Sequence, residues 1–315
     1  MDIAQHRTLR FGTRGSPLAL WQTRAVLARL RQAAPGLEAA EHVIATTGDK
    51  VQDRPLADIG GKGLFAKEIH EALADGRIDA AVHSLKDLET ALPPGIVLAA
   101  VLPREDARDA LILGPGCAAP DPADPLAALP RGARIGTSSV RRQAQLLHAR
   151  PDLSVGLLRG NVQTRLARLR GGDMAATLLA LAGLRRLGLE AAASVVLSPA
   201  VMLPAAGQGI VGITARADDA DLLATLRAMS DDGAWIAASA ERGLLGELDG
   251  SCRTPIGAHA VLRPDGSVHL DGLVARGDGS FLLRRSLTGP ATEAAALGRD
   301  LGRQLRADSP GDLFA

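Results

Sequence analysis

The sequence predicts an α/β protein of two lobes followed by a small α+β C-terminal domain. Three observations predict it. Short apolar runs alternate with amphipathic stretches twice over, once on each side of a Pro- and Gly-rich interruption at 114–132. Repeated βα units imply a mostly parallel sheet in each lobe, with ligand loops at the strand C-ends and a cleft between the lobes. After residue 228 the order changes to a helix, three strand-like runs and a closing helix, the pattern of an α+β unit. A chain of 315 residues, 46% hydrophobic, is long enough to bury two or three cores.

In chain order, "LRFGT" (9–13) reads as a strand and "SPLALWQTRAVLARLRQ" (16–32) as a helix. Ser16 can cap that helix, and Pro17 suits its first position. Leu20, Thr23, Leu27 and Leu30 share one face. "EHVIAT" (41–46) is the next strand, "GLFAKEIHEALADG" (63–76) a helix ended by Gly76, "IDAAVHS" (78–84) a strand and "GIVLAAVL" (95–102) another. The second set runs "ARIGT" strand, "SSVRRQAQLLHA" helix, "SVGLLRG" strand, "NVQTRLARLRGG" helix and "MAATLLALAGL" (174–184) strand. "LPAAGQGIVGI" (203–213) reads as a crossing between lobes; its GxG alone is no dinucleotide fingerprint. The last domain has helices at about 232–248 and 291–306 around the strands "IGAHAVL", "SVHLDGLVA" and "SFLLRRSL". The expected division is 1–103 with 208–227, then 104–207, then 228–315.

Bulk properties exclude several classes. The net charge of +1 gives no field to draw the chain onto nucleic acid or membrane. Aromatic residues are 2%, with no Tyr, so stacking platforms for single strands are poorly supplied. Lys occurs only at 50, 62, 67 and 86. The start, "MDIAQHRTLRFGT", lacks the apolar region of a secretory signal, and no stretch has the apolar length of a spanning helix. Two cysteines without a CxxC pattern argue against a disulfide scaffold and a zinc site, so no metal is expected. A cytoplasmic location follows.

Charged groups recur at strand-to-helix joints. "GTRGSPLALW" places Arg14 and Ser16 at one, "GTSSVRRQ" (136–143) places Ser139, Arg141 and Arg142 at a second, and "LRGNVQTR" (158–165) places Arg159 and Arg165 at a third. Helix N-termini attract anions, and Arg grips carboxylates or phosphates bidentately. One such joint is an ordinary capped helix; three point to a ligand bearing several anionic groups. "DIGGKGLFAKE" (58–68) carries Lys62 on a glycine loop and reads equally as a mobile lid or a turn before a helix. "AVHSLKDLE" (81–89) ends a strand with Lys86 and Asp87. A carboxylate at that strand end can stabilise a developing cation or exchange protons. His83 is expected to pack in the strand. Cys252, in the turn-rich "ELDGSCRTPIG" (247–257), is open between an idle thiol, a nucleophile with His259 nearby, and an attachment point. Cys117 lies in the linker and receives no role.

Taken together, "GTRGSPLALWQ", "GGKGLFAKE", "AVHSLKD", "REDARDA", "GTSSVRRQ", "LRGNVQTRL", "LAGLRRLGL", "LPAAGQG" and "GSCRTPIG" make the chain resemble the porphobilinogen deaminase (hydroxymethylbilane synthase) family, from about residue 9 to the end. The resemblance implies a cytoplasmic, monomeric transferase of tetrapyrrole (haem-type) biosynthesis. It would join four porphobilinogen molecules head to tail, release ammonia each time, and free hydroxymethylbilane by hydrolysis for uroporphyrinogen III synthase. It implies two lobes like those of periplasmic binding proteins, and a dipyrromethane cofactor bound by thioether to Cys252. Lys86, Asp87, Ser139, Arg141 and Arg142 match cofactor-binding residues. Arg14, Ser16, Arg159, Arg165 and Arg186 match substrate-binding residues, Asp87 the catalytic aspartate, and Lys62 and Phe65 the mobile loop. The sequence departs from the common pattern at Ser251, Leu88-Glu89 and Ala107. A two-lobed anion-binding protein without chemistry would leave Asp87 and Cys252 idle, and nucleic-acid binding through the arginines is opposed by the balanced charge.

Overall fold

The computed structural model describes residues 8–50, 63, 65–248 and 254–314. The chain divides into two compact units: residues 1–51, 63–105 and 210–235 form one, and 52–62, 106–209 and 236–315 form the other.

The first unit is a five-stranded sheet of β1 (Leu9–Thr13), β2 (Ala39–Val43), β3 (Ala80–Ser84), β4 (Ile96–Val101) and a later strand, β10 (Val211–Arg216), in the order β2-β1-β3-β10-β4. The helix Pro17–Ala33 forms for the reasons its sequence suggests. Ser16 accepts a hydrogen bond from the Ala19 N–H at 3.3 Å, and Pro17 occupies the first turn. Its buried residues are Gln22, Thr23, Val26, Leu27 and Leu30. Phe11, Val26, Leu30, Val82, Ile213 and Leu226 pack on one side of the sheet. Ile44, Ile69, Leu73 and Ile78 pack in a second cluster with the helix Lys67–Ala74.

The second unit contains two sheets. One has β5 (Asp109–Leu113), β6 (Arg134–Gly136), β7 (Ser154–Gly156), β8 (Ala176–Ala180) and β9 (Val195–Val196) in the order β7-β6-β8-β5-β9. Helices Val140–Ala149 and Val162–Arg170 are capped by Ser139 and Asn161. The other sheet is the antiparallel meander β11 (Ile256–Leu262), β12 (Ser267–Ala275) and β13 (Leu282–Pro290). It is covered by helices Asp232–Leu248 and Ala294–Ala307 through Leu244, Leu248, Val268, Leu270, Leu301 and Leu305. These two helices approach at glycines. A Cβ on Gly243 would lie 2.5 Å from the Ala295 carbonyl oxygen, and one on Gly298 would collide with that of Ala240.

In each α/β sheet four of the five strands run in one direction, as expected, and one is reversed. β10 runs antiparallel to both β3 and β4, and β5 antiparallel to both β8 and β9. Each reaches its sheet without the preceding crossover helix that makes a neighbour parallel. β5 and the helix Ala220–Ala228 were not expected at all. The stretch 174–184 is also two elements: β8 ends at Ala180 and the helix Leu181–Arg186 begins at once. A continuous apolar run does not reveal where a buried strand becomes a buried helix.

Candidate functional site

In the first unit, β1 and β3 are parallel neighbours, so their C-terminal ends lie side by side. That brings the Arg14–Ser16 joint next to the turn Leu85–Asp87 that follows β3. A cavity there is lined by Arg14, Ser16, Gln22, Phe65, His83 and Asp87, among others. The Arg14 guanidinium lies 4.0 Å above the centre of the Phe65 ring. Buried Gln22 is fixed by its amide, which donates to the Ser84 hydroxyl at 2.9 Å. Asp87, which lines the cavity, and the adjacent Lys86 are both exposed.

His83 packs in β3 as expected and also faces this cavity. Its Nε2 lies 3.0 Å from the Thr214 hydroxyl. Burial, the neighbouring His70 and the Arg14 charge push its pKa down to about 3, so the ring is neutral near pH 7. His70 sits 5.6 Å away, ring centre to ring centre, and burial lowers its pKa also. Arg14 is thus a cation beside a neutral imidazole, and Asp87 a carboxylate at the same cavity. The arrangement can hold a ligand carboxylate at one end and meet a positive or N–H group at the other.

In the second unit, Arg141 and Arg142 occupy the first turn of the helix capped by Ser139. Their side chains run inward, with 4% and 5% of each residue exposed. Arg141 Nη2 donates to Asp109 Oδ2 at 2.8 Å, and Arg142 Nη2 to Asp109 Oδ1 at 2.7 Å. Asp109 is fully buried. Their Nη1 groups donate to the Leu203 and Leu178 carbonyl oxygens respectively. The Nε–H of each has no hydrogen-bond partner among the described residues. Burial pulls the Arg141 pKa down against the opposing pull of Asp109.

Arg159 is buried too, 6% exposed, just before Gly160, whose φ of 109° lies where glycine is favoured. Arg165 Nε donates to the Gly160 carbonyl at 2.9 Å. Arg186 Nη2 donates to that of Gly209 at 2.7 Å. The expected residues of this unit therefore fall on the joints after β6 and β7 and on the helix after β8. Lys62 and Cys252 lie outside the described residues. No group of three or more metal-ligating side chains occurs among the described residues, and no described helix is long and apolar enough to cross a membrane.

Sequence reasoning gave no role to three buried groups. Asp109 stands inside the "REDARDA" motif and opens β5; an acid leading an apolar run was the available signal. Gln208 Nε2 donates to Asp109 Oδ1 at 2.9 Å and to the Ala107 carbonyl at 2.6 Å. Glu241 is fully buried and accepts from the Gly207 and Ala260 N–H groups at 2.6 and 2.7 Å.

Two family models match the chain. One, described as "Porphobilinogen deaminase, dipyromethane cofactor binding domain", covers residues 9–224. The other, "Porphobilinogen deaminase, C-terminal domain", covers 235–307. A porphobilinogen deaminase of Nitratidesulfovibrio vulgaris is 47% identical over 98% of this chain and 96% of that protein. One of Nitrobacter hamburgensis is 50% identical over 96% and 94%. A chloroplastic one of Oryza sativa is 48% identical over 97% and 85%.

Proposed function

The chain belongs to the porphobilinogen deaminase family, and from that premise we propose how its residues divide the work. It is a transferase of tetrapyrrole biosynthesis that joins four porphobilinogen molecules head to tail, releases ammonia and frees hydroxymethylbilane by hydrolysis. Its cofactor is a dipyrromethane, which when bound supplies the pyrrole carbon to which the first substrate is joined. The residues fit such a group. Its acetate and propionate carboxylates are acceptors for charge-assisted bonds, and two buried guanidiniums each keep an N–H that nothing among the described residues takes. That observation carries the assignment.

In this reading Cys252 is the tether. Arg141, Arg142, Ser139 and Lys86 bind the cofactor carboxylates, and Asp87 faces the pyrrole N–H groups. Arg14, Ser16, Arg159, Arg165 and Arg186 bind the carboxylates of incoming porphobilinogen and the growing chain. Asp87 stabilises the cation left on porphobilinogen when ammonia departs, an electrostatic effect on charge formed during reaction. The neutrality of His83 supports this role, because a second cation at that cavity would oppose the one being formed. Phe65, fixed against Arg14, and Lys62 cover the site and exclude water. The three-domain division 1–103 with 208–227, 104–207 and 228–315 belongs to the same reading. So does a cytoplasmic monomer whose product passes to uroporphyrinogen III synthase.

Intact-protein mass tests it. The chain is expected to carry an adduct of two pyrrole units that is absent from Cys252→Ser. A bare mass for the wild type after expression with porphobilinogen available would overturn the assignment.

A further inference from the structure

We infer that Asp109 is a positioning residue for the cofactor: it aims Arg141 and Arg142 at the cofactor carboxylates, and Gln208 fixes Asp109 in turn. The inference rests on the reading above, in which those arginines hold the cofactor. Its starting point is a placement that should be unfavourable. Two adjacent arginines lie in the first turn of a helix, where the free N–H groups and the helix dipole are already positive. Both are taken out of water, where like charges repel most strongly.

Asp109 resolves the conflict with one carboxylate shared between two cations. Each oxygen is taken by a different arginine, Oδ2 by Arg141 and Oδ1 by Arg142. Neither guanidinium can turn without breaking an ion pair. The Leu203 and Leu178 carbonyls hold the Nη1 groups, and the Nε–H of each arginine has no hydrogen-bond partner among the described residues. Gln208 holds the carboxylate from a third side and anchors itself on the Ala107 carbonyl. One anion between two cations also leaves the trio net positive, so the attraction for an incoming carboxylate survives. Replacing Asp109 with an apolar residue would keep that positive charge but lose its direction.

The test uses the full chain produced without its cofactor, in a host unable to make porphobilinogen, and then incubated with porphobilinogen. Mass spectrometry follows the fraction carrying the adduct, and thermal melts check folding. Asp109→Asn is expected to load about tenfold more slowly than wild type, the effect of losing a charge-assisted bond. Asp109→Glu should recover part of the rate because it restores the carboxylate. Gln208→Leu should slow loading about threefold through loss of one neutral hydrogen bond. A folded Asp109→Asn protein that loads at the wild-type rate overturns the inference. If Asp109→Asn does not fold, Gln208→Leu decides, and loading at the wild-type rate overturns it equally. A purely structural role would lower the melting temperature and leave the loading rate of folded protein unchanged. A wild-type chain that never acquires the adduct removes the underlying reading, and the inference with it. A wild-type chain that loads beside fully loading variants removes the inference alone.

Discussion

Replacing Glu241 with Gln isolates the contribution of one buried carboxylate to the frame of the C-terminal domain. Glu241 Oε2 accepts from the Gly207 N–H at 2.6 Å and Oε1 from that of Ala260 at 2.7 Å. The first anchors the 203–209 segment and the second anchors β11. Gln has nearly the same volume, so no cavity opens. It has only one acceptor oxygen, however, and its amide nitrogen must face the other N–H donor to donor. One charge-assisted bond is lost, one buried N–H is stranded, and the remaining bond becomes a neutral one. At about 1–3 kcal/mol for a stranded group and about 1 kcal/mol for weakening the survivor, the expected loss is about 3 kcal/mol. For a unit of this size that lowers the melting temperature by roughly 6–12 °C. Circular-dichroism melts measure it, and amide exchange at Gly207 and Ala260 should accelerate alongside. A Glu241→Gln protein that melts with wild type, with both amides still protected, would refute the reasoning.

Other expectations follow from the same geometry. Asp87→Asn should lower kcat by about 100-fold or more with little change in KM, because the carboxylate acts on charge present only during reaction; steady-state kinetics with porphobilinogen measure both, and a change confined to KM would argue for a binding role. His83 has a folded pKa of about 3 against 6.5, so between those values the unfolded chain binds the extra proton. Stability is therefore complete above pH 6.5 and falls as pH drops toward 3, by up to about 1.4 kcal/mol per pH unit. Urea titrations should show that slope, shallower in His83→Gln, and an unchanged slope would count against the buried neutral ring. Gly279→Ala should destabilise by about 1–3 kcal/mol, since its φ is +77° and a Cβ would lie 2.5 Å from the His148 amide nitrogen; an unchanged urea midpoint would contradict the close approach.

The local signals in the sequence carried a long way. Ser16, Pro17 and the apolar spacing behind them defined the first helix because capping and periodicity act within a few residues. The helix Asp232–Leu248 and the strands of the last domain were legible for the same reason. The joints carrying Arg14, Ser139 and Arg159 could be read as anion sites from residue type and position. The run of motifs pointed to the family and, through that resemblance, to Cys252 as the proposed tether. Pattern alone had left that thiol open among three roles.

Tertiary structure decided what depends on residues far apart in the chain. Whether Arg141 and Arg142 face water or the interior is set by Asp109, more than thirty positions earlier, and no periodicity links them. The reversed directions of β5 and β10 depend on where the chain returns to each sheet, not on the residues within those strands. His83 became a neutral group at a cavity because packing buries it and brings His70 and Arg14 beside it. A sequence specifies which groups are charged or polar, and its local pattern shows how nearby residues fold. Burial and partnership, which determine the charge a group carries and the direction it faces, arise only when distant segments pack together.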